Sequence, residues 1–181
     1  MVNDAKISVQ NIRSILDQIS DPEIPVLTIT DLGIIREIKI TNSPLGDRGT
    51  INPPLGDGGI EVFITPTYTG CPAMDMIATN IRLALTKYGF PNETIKITTV
   101  LSPAWTTDWI SEEGKEKLKK YGIAPPVGKA INEKNLEEII VECPQCNSKN
   151  TRLISSFGST ACKALFQCND CKEPFDYFKC H

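Results

Sequence analysis

Histidine is all but missing from this sequence: one residue in 181, His181. A Cys-His or Ser-His nucleophilic pair would have to use it, and no Glu-x-x-His di-iron motif can be written. Long apolar runs are missing too. No stretch approaches the roughly 20 residues a membrane-spanning helix needs. The opening Met1-Val2-Asn3-Asp4-Ala5-Lys6 lacks the basic-then-apolar form of a signal peptide. Nor is there an excess of one charge. The formal net charge is −3, which removes the electrostatic basis for broad nucleic-acid or anionic-membrane binding. These absences predict a cytoplasmic protein that contacts neither membrane nor nucleic acid.

Cysteine is plentiful by contrast, with seven residues. In a reducing compartment, clustered cysteines serve as metal ligands or reactive groups more often than as disulfides. Cys143-Pro-Gln-Cys146 and Cys168-Asn-Asp-Cys171 are two C-x2-C pairs with 21 residues between them. Each pair lets two thiolates of a tight turn point at one ion, and a hairpin between the pairs closes a tetrahedron, as in zinc ribbons. Zinc is the expected ion because a closed shell of four thiolates serves structure. A single iron or a small iron–sulfur cluster also suits four thiolates.

Upstream the periodicities describe a mixed domain. Val9, Ile12, Ile15, Leu16 and Ile19 fall at helical spacing behind a Ser8 cap, and Asp21-Pro22 stops the helix. Strands are expected at 33–40, where Ile34, Ile38 and Ile40 share a face, and at 60–65. Between them, residues 42–59 form a long loop in which Pro44–Gly49 is echoed by Pro54–Gly59. A local duplication in a surface loop explains the echo. Pro72 opens a helix reaching Tyr88, with Ile77, Ile81, Ala84, Leu85 and Tyr88 as its buried stripe and Gly89 as its stop. A third strand at 94–101, with Ile95, Ile97 and Leu101 on one side, would then pair parallel with the second. Ser111 caps a last helix to Tyr121. The expected fold class is therefore α+β: a small two-layer α-β-β-α-β domain over 1–122, a linker over 123–138, and a four-cysteine zinc ribbon over 139–181.

Cys71 stands apart from the ribbon, in Thr69-Gly70-Cys71-Pro72 at the N-cap of a proline-opened helix. The positive helix end would favour a thiolate there, hence metal binding or attack. A small buried cysteine at a tight strand-to-helix turn explains the position equally well. Asp21 and Glu23 in the Asp-Pro-Glu turn, with Asp31 and Asp108, could join Cys71 in an open thiolate–carboxylate site only if the fold brings them together. Cys162 reads as a small buried residue of the ribbon hairpin, or else as a reserve thiol near its ion.

At these residues the chain closely resembles a known family, the PaaD (also PaaJ) subunits of bacterial phenylacetyl-CoA epoxidase, or phenylacetate-CoA oxygenase. The matching stretches are Asp21–Pro25, Asp31–Gly33, Thr65–Ala73, Ser102–Trp109, Tyr121–Pro126, Phe157–Ala164 and Glu173–Lys179. The first domain is also similar to the small iron–sulfur assembly factors, whose Asp-Pro-Glu turn corresponds to Asp21–Glu23 and whose motif cysteine corresponds to Cys71. The 42–59 loop is longer than the family pattern.

The resemblance implies a non-catalytic accessory or maturation subunit in phenylacetate degradation. It would assist iron or iron–sulfur centre assembly beside a ring-epoxidising enzyme. It makes Cys71 the first choice for holding a transient iron or iron–sulfur cargo, with Asp21 and Glu23. The implied partners are the other epoxidase subunits, and a homodimer stays open.

The competing readings are a nucleic-acid- or protein-binding zinc-ribbon adaptor and an enzyme with Cys71 as nucleophile. Lys149, Arg152, Lys163, Lys172 and Lys179 are nearly balanced by Glu142, Asp170, Glu173 and Asp176, so the ribbon lacks a basic footprint. The enzyme reading lacks an internal histidine.

Overall fold

The structure is a computed structural model and describes residues 8–41, 59–127 and 133–179. The repeat in the 42–59 loop lies, up to residue 58, outside the described residues, as do Cys180 and His181. Helix α1 (Val9–Leu16) starts at Ser8, whose hydroxyl accepts from the Asn11 N–H while the Asn11 side chain accepts from the Ser8 N–H. Strands β1 (Ile35–Thr41) and β2 (Gly59–Ile64) pair antiparallel, with Ile38 opposite Val62 and Ile40 opposite Ile60. Helix α2 (Ala73–Lys87) then crosses over to β3 (Ile95–Thr99), which pairs parallel with β2. The sheet order is β1-β2-β3.

Helix α1 packs on α2 and β1, and α2 on β3. Ile12, Ile15 and Leu16 of α1 meet Ile77, Ile81 and Leu85 of α2 over Ile38, Ile60, Val62, Ile64 and Ile95 of the sheet. Such apolar burial contributes about 25 cal/mol per Å² removed from water. Three residues expected in this core are exposed instead: Val9, Tyr88 and Leu101. Val9 opens α1 and Tyr88 caps α2, so neither lies over the sheet. Leu101 lies past the last strand residue, Thr99.

The connection after β3 is held by single contacts. The Trp105 indole donates to the Leu32 carbonyl at 2.7 Å. Gly33 sits at φ +65°, and a Cβ there would lie 2.7 Å from Trp109 Cβ, so a side chain is excluded by both backbone and space. Helix α3 (Glu112–Tyr121) is capped by Ser111 and ends at left-handed Gly122. Asp31 ties it down, accepting from Ser111 Oγ at 3.1 Å and Lys117 Nζ at 2.9 Å.

The residues expected to begin the linker are a strand. Strand β4 (Ile123–Ala124) pairs parallel with β7 (Pro174–Phe178) in a second sheet of order β4-β7-β6-β5, with β5 (Thr151–Ser155) and β6 (Lys163–Cys168). Phe166, Phe175 and Tyr177 centre its core, and Leu136 and Val141 also bury there. The two sheets are thus joined at once after Gly122. Phe178, on the last strand, belongs to the first core and packs its ring 6.3 Å from that of Trp105. Among the described residues no helix is long and apolar enough to cross a membrane.

Candidate functional site

Two clusters of cysteines emerge, and they differ in kind. In the ribbon, Cys143, Cys146, Cys168 and Cys171 place their sulfurs within 4.8 Å of one another. Cys143 lies 3.7 Å from Cys171 and Cys146 lies 3.6 Å from Cys168. Sulfurs bound at about 2.3 Å around a tetrahedral zinc would stand about 3.8 Å apart, whereas a disulfide needs about 2.0 Å. The donor set therefore fits one ion and not two disulfides.

Each pair is built the same way. The Cys143 N–H donates to the Ser148 carbonyl, and the Cys168 N–H to the Glu173 carbonyl. The residue after each second cysteine is left-handed, Asn147 at φ 59° and Lys172 at φ 68°. This turn directs the Ser148 N–H at Cys146 and the Glu173 N–H at Cys171. Asp170 accepts from the Asn150 amide at 2.8 Å and from the Ser148 hydroxyl, pinning one turn to the other. The N–H groups of Cys171 and Asp170 bring the Cys168 thiol down to about 7.

The second cluster lies in a cleft between the first domain and the ribbon, lined by Asp21, Glu23, Thr67, Cys71, Cys162 and Phe178 among others. Its open space is about 10 Å³, near the minimum for one water-sized group. Asp21 is buried, and one of its carboxylate oxygens accepts from the Glu23 and Ile24 N–H groups, each at 2.8 Å. It shapes the turn that carries Glu23 to the cleft. Burial raises the Asp21 carboxyl above its usual range, although these N–H groups and nearby Lys163 oppose the rise.

Cys71 is half-buried. Pro72 is already helical at φ −70°, ψ −18°, and the Ala73 N–H faces the Cys71 sulfur, as do the side chains of Thr67 and Tyr68. The helix end expected to lower this thiol is therefore present but outweighed. Burial, with the Glu23 charge, pushes Cys71 up. Cys162 is pushed up to about 11, chiefly by burial and further by Glu23. Its sulfur lies 3.7 Å from a Glu23 oxygen. In this cleft, then, burial and the neighbouring Glu23 carboxylate both disfavour the thiolate forms of Cys71 and Cys162.

Of the carboxylates considered from sequence, Asp21 and Glu23 share the cleft with Cys71. Asp31 does not, being engaged with Thr28, Ser111 and Lys117. Asp108 is exposed in the 107–109 turn. Cys162 is not near the ribbon thiols but in this cleft. No local spacing announces that, and its only trace in the sequence is its place within the Phe157–Ala164 motif.

Residues 128–179 match the family model described as the PaaD zinc beta ribbon domain, and residues 9–94 match that of the iron–sulfur cluster assembly protein. A protein of Escherichia coli (strain K12), provisionally named as the D-type component of 1,2-phenylacetyl-CoA epoxidase, is 47% identical over 172 residues. The match covers 95% of this chain and 93% of that protein. An Fe-S protein maturation auxiliary factor of Porphyromonas gingivalis (strain ATCC BAA-308 / W83) is 29% identical over 60% of this chain and 89% of its own. A solved structure of a domain of unknown function, DUF59, from Bacillus anthracis covers 60% of this chain and 89% of its own at 21% identity. Its TM-score is 0.47.

Proposed function

Because the chain belongs to the family of PaaD components of 1,2-phenylacetyl-CoA epoxidase, we propose that it is a non-catalytic accessory subunit that helps assemble or maintain a metal centre of that complex. Iron, or an iron–sulfur unit built from it, is the cargo, and Cys71 is where it is held. Glu23 supplies a carboxylate and Asp21 shapes the turn that presents it. The other epoxidase subunits are the partners, in the cytoplasm.

One observation carries the reading: Cys71 and Glu23 line a cleft of about 10 Å³. An acyl-CoA could not enter a space of that size, whereas an ion could. Among the described residues there is also no histidine to activate Cys71 as a nucleophile. The ribbon has a separate task in this scheme. Its four thiols suit a permanent zinc ion, which when bound supplies a structural clamp and, with its shell closed, no open coordination position.

The test is reconstitution. Cys71→Ser should abolish ring epoxidation by the assembled complex while ribbon metal content and circular dichroism stay at wild-type values. Full epoxidation in that variant would remove the cargo role.

A further inference from the structure

The ribbon contains one buried cysteine that its four-thiol centre does not use. Cys162 lies just before β6 in sequence, yet its side chain is part of the first core and not the second. It shares the cleft with Cys71 and approaches Glu23 to 3.7 Å. We infer that the cleft is a composite site for a single thiophilic divalent cation, with Cys71 and Glu23 from the first domain and Cys162 from the ribbon as its protein ligands. The inference rests on the reading of Cys71 as the cargo cysteine and adds a donor from the other domain.

Several features hold Cys162 where a ligand must be. Its sulfur is 3.0 Å from Thr160 Oγ1, and its carbonyl accepts from the Lys179 N–H at 3.0 Å. The loop before it is tied back, with the Gly158 N–H donating to the Lys163 carbonyl at 2.8 Å and Ser159 Oγ to Asp176 at 2.7 Å. A Cβ on Gly158 would fall 2.4 Å from an Asp176 oxygen, so a side chain there would displace the carboxylate that holds Ser159. The nearby cation, Lys163, has its ammonium 3.8 Å from the Asp176 carboxylate, which offsets its charge.

The donor types then select the ligand. Two sulfurs and one carboxylate suit a borderline or soft divalent metal and not magnesium or calcium. The small volume admits one ion before it admits a cluster. On binding, each thiol releases its proton to solvent and forms a metal–sulfur bond, with no change of oxidation state. Among the described residues only the ribbon sulfurs form a group of donors all within 4.8 Å of one another, so Cys71, Glu23 and Cys162 must draw together as the ion binds. Two or three protein ligands leave coordination positions for water or for a receiving group, as transfer requires and storage does not.

The experiment uses the full chain, anaerobic and reduced, with the ribbon filled with zinc, titrated with Co²⁺. The expected result is uptake of one further Co²⁺ with thiolate-to-cobalt charge transfer. In Cys162→Ser that band should fall to about half and affinity should drop more than about 10-fold, the least that loss of even a supporting group costs. Cys71→Ser should do the same, and Glu23→Gln should weaken binding without removing the band. Retained zinc and far-ultraviolet circular dichroism show that each variant is folded. X-ray absorption at the cobalt edge of the wild type counts sulfur ligands without any substitution, and two are expected. One sulfur, or a Cys162→Ser variant that binds as wild type while Cys71→Ser does not, overturns the composite site and leaves the role of Cys71 standing. No Co²⁺ uptake beside the ribbon zinc in the wild type, or uptake indifferent to Cys71→Ser, overturns both.

Discussion

Asp31 shows how a single side chain can be mistaken for part of a site. Its carboxylate is buried, and burial alone would raise its pKa. The Thr28 N–H, the Lys117 ammonium and the Thr28 hydroxyl outweigh that and hold it below its ordinary range. A carboxyl with a depressed folded pKa contributes stability that is present above its unfolded value, about 3.9, and is lost as pH falls through the folded one. Asp31→Asn should therefore cost about 2–3 kcal/mol near neutral pH and flatten the loss of stability below about pH 4. Chemical denaturation of the variant across pH 2–7 checks this. An acid limb as steep as that of the wild type would show that Asp31 does not carry it. Asp21 follows the opposite rule, since its folded pKa is raised. Its ionised form opposes folding at neutral pH, which places its value in presenting Glu23 rather than in stability.

At the scale of elements, legibility follows length and locality. Helix α2 and strand β2 can be read because an apolar period repeats several times along each. The two ribbon turns can be read because a C-x2-C spacing is a complete local instruction. Strand β4 cannot, because two residues, Ile123 and Ala124, carry no period and their pairing with β7 spans some fifty positions. Cys162 is hidden for the same reason. Its neighbours in sequence belong to the ribbon, and only the packing of Phe178 on Trp105 and the tied-back loop turn it toward Glu23. The state of Cys71 escapes on a different ground, because the helix end can be read from sequence but the burial that outweighs it cannot. For the ribbon turns the expected dependence is plain. Structural zinc sites contribute roughly 10–16 kcal/mol of binding free energy, more than so small a core supplies alone. Removing the metal with a strong chelator, or replacing Cys143 with Ser, should abolish the cooperative unfolding of the second sheet. Calorimetry of the chelated protein with an unchanged transition would refute it.

Among the described residues, the contacts that join the two halves include the β4–β7 pairing, the Trp105–Phe178 contact, the Lys119–Glu142 ion pair and the approach of Cys162 to Glu23. Together these make the cleft a property of the entire chain rather than of its first domain. They also mean that β4 belongs by sequence to one half and by hydrogen bonding to the other. The gene could accordingly be cut where the protein cannot. Residues 1–127 and 128–181, made as two polypeptides in one cell, should find each other and co-purify as a complementing pair. Ending the first piece at Gly122, so that β4 is withheld, should weaken or abolish the pairing. Equal recovery of both pairs would show that the added strand does not bind the halves together. A strand of two residues would in that sense act as a built-in affinity tag, by which the ribbon recognises the domain it was translated with.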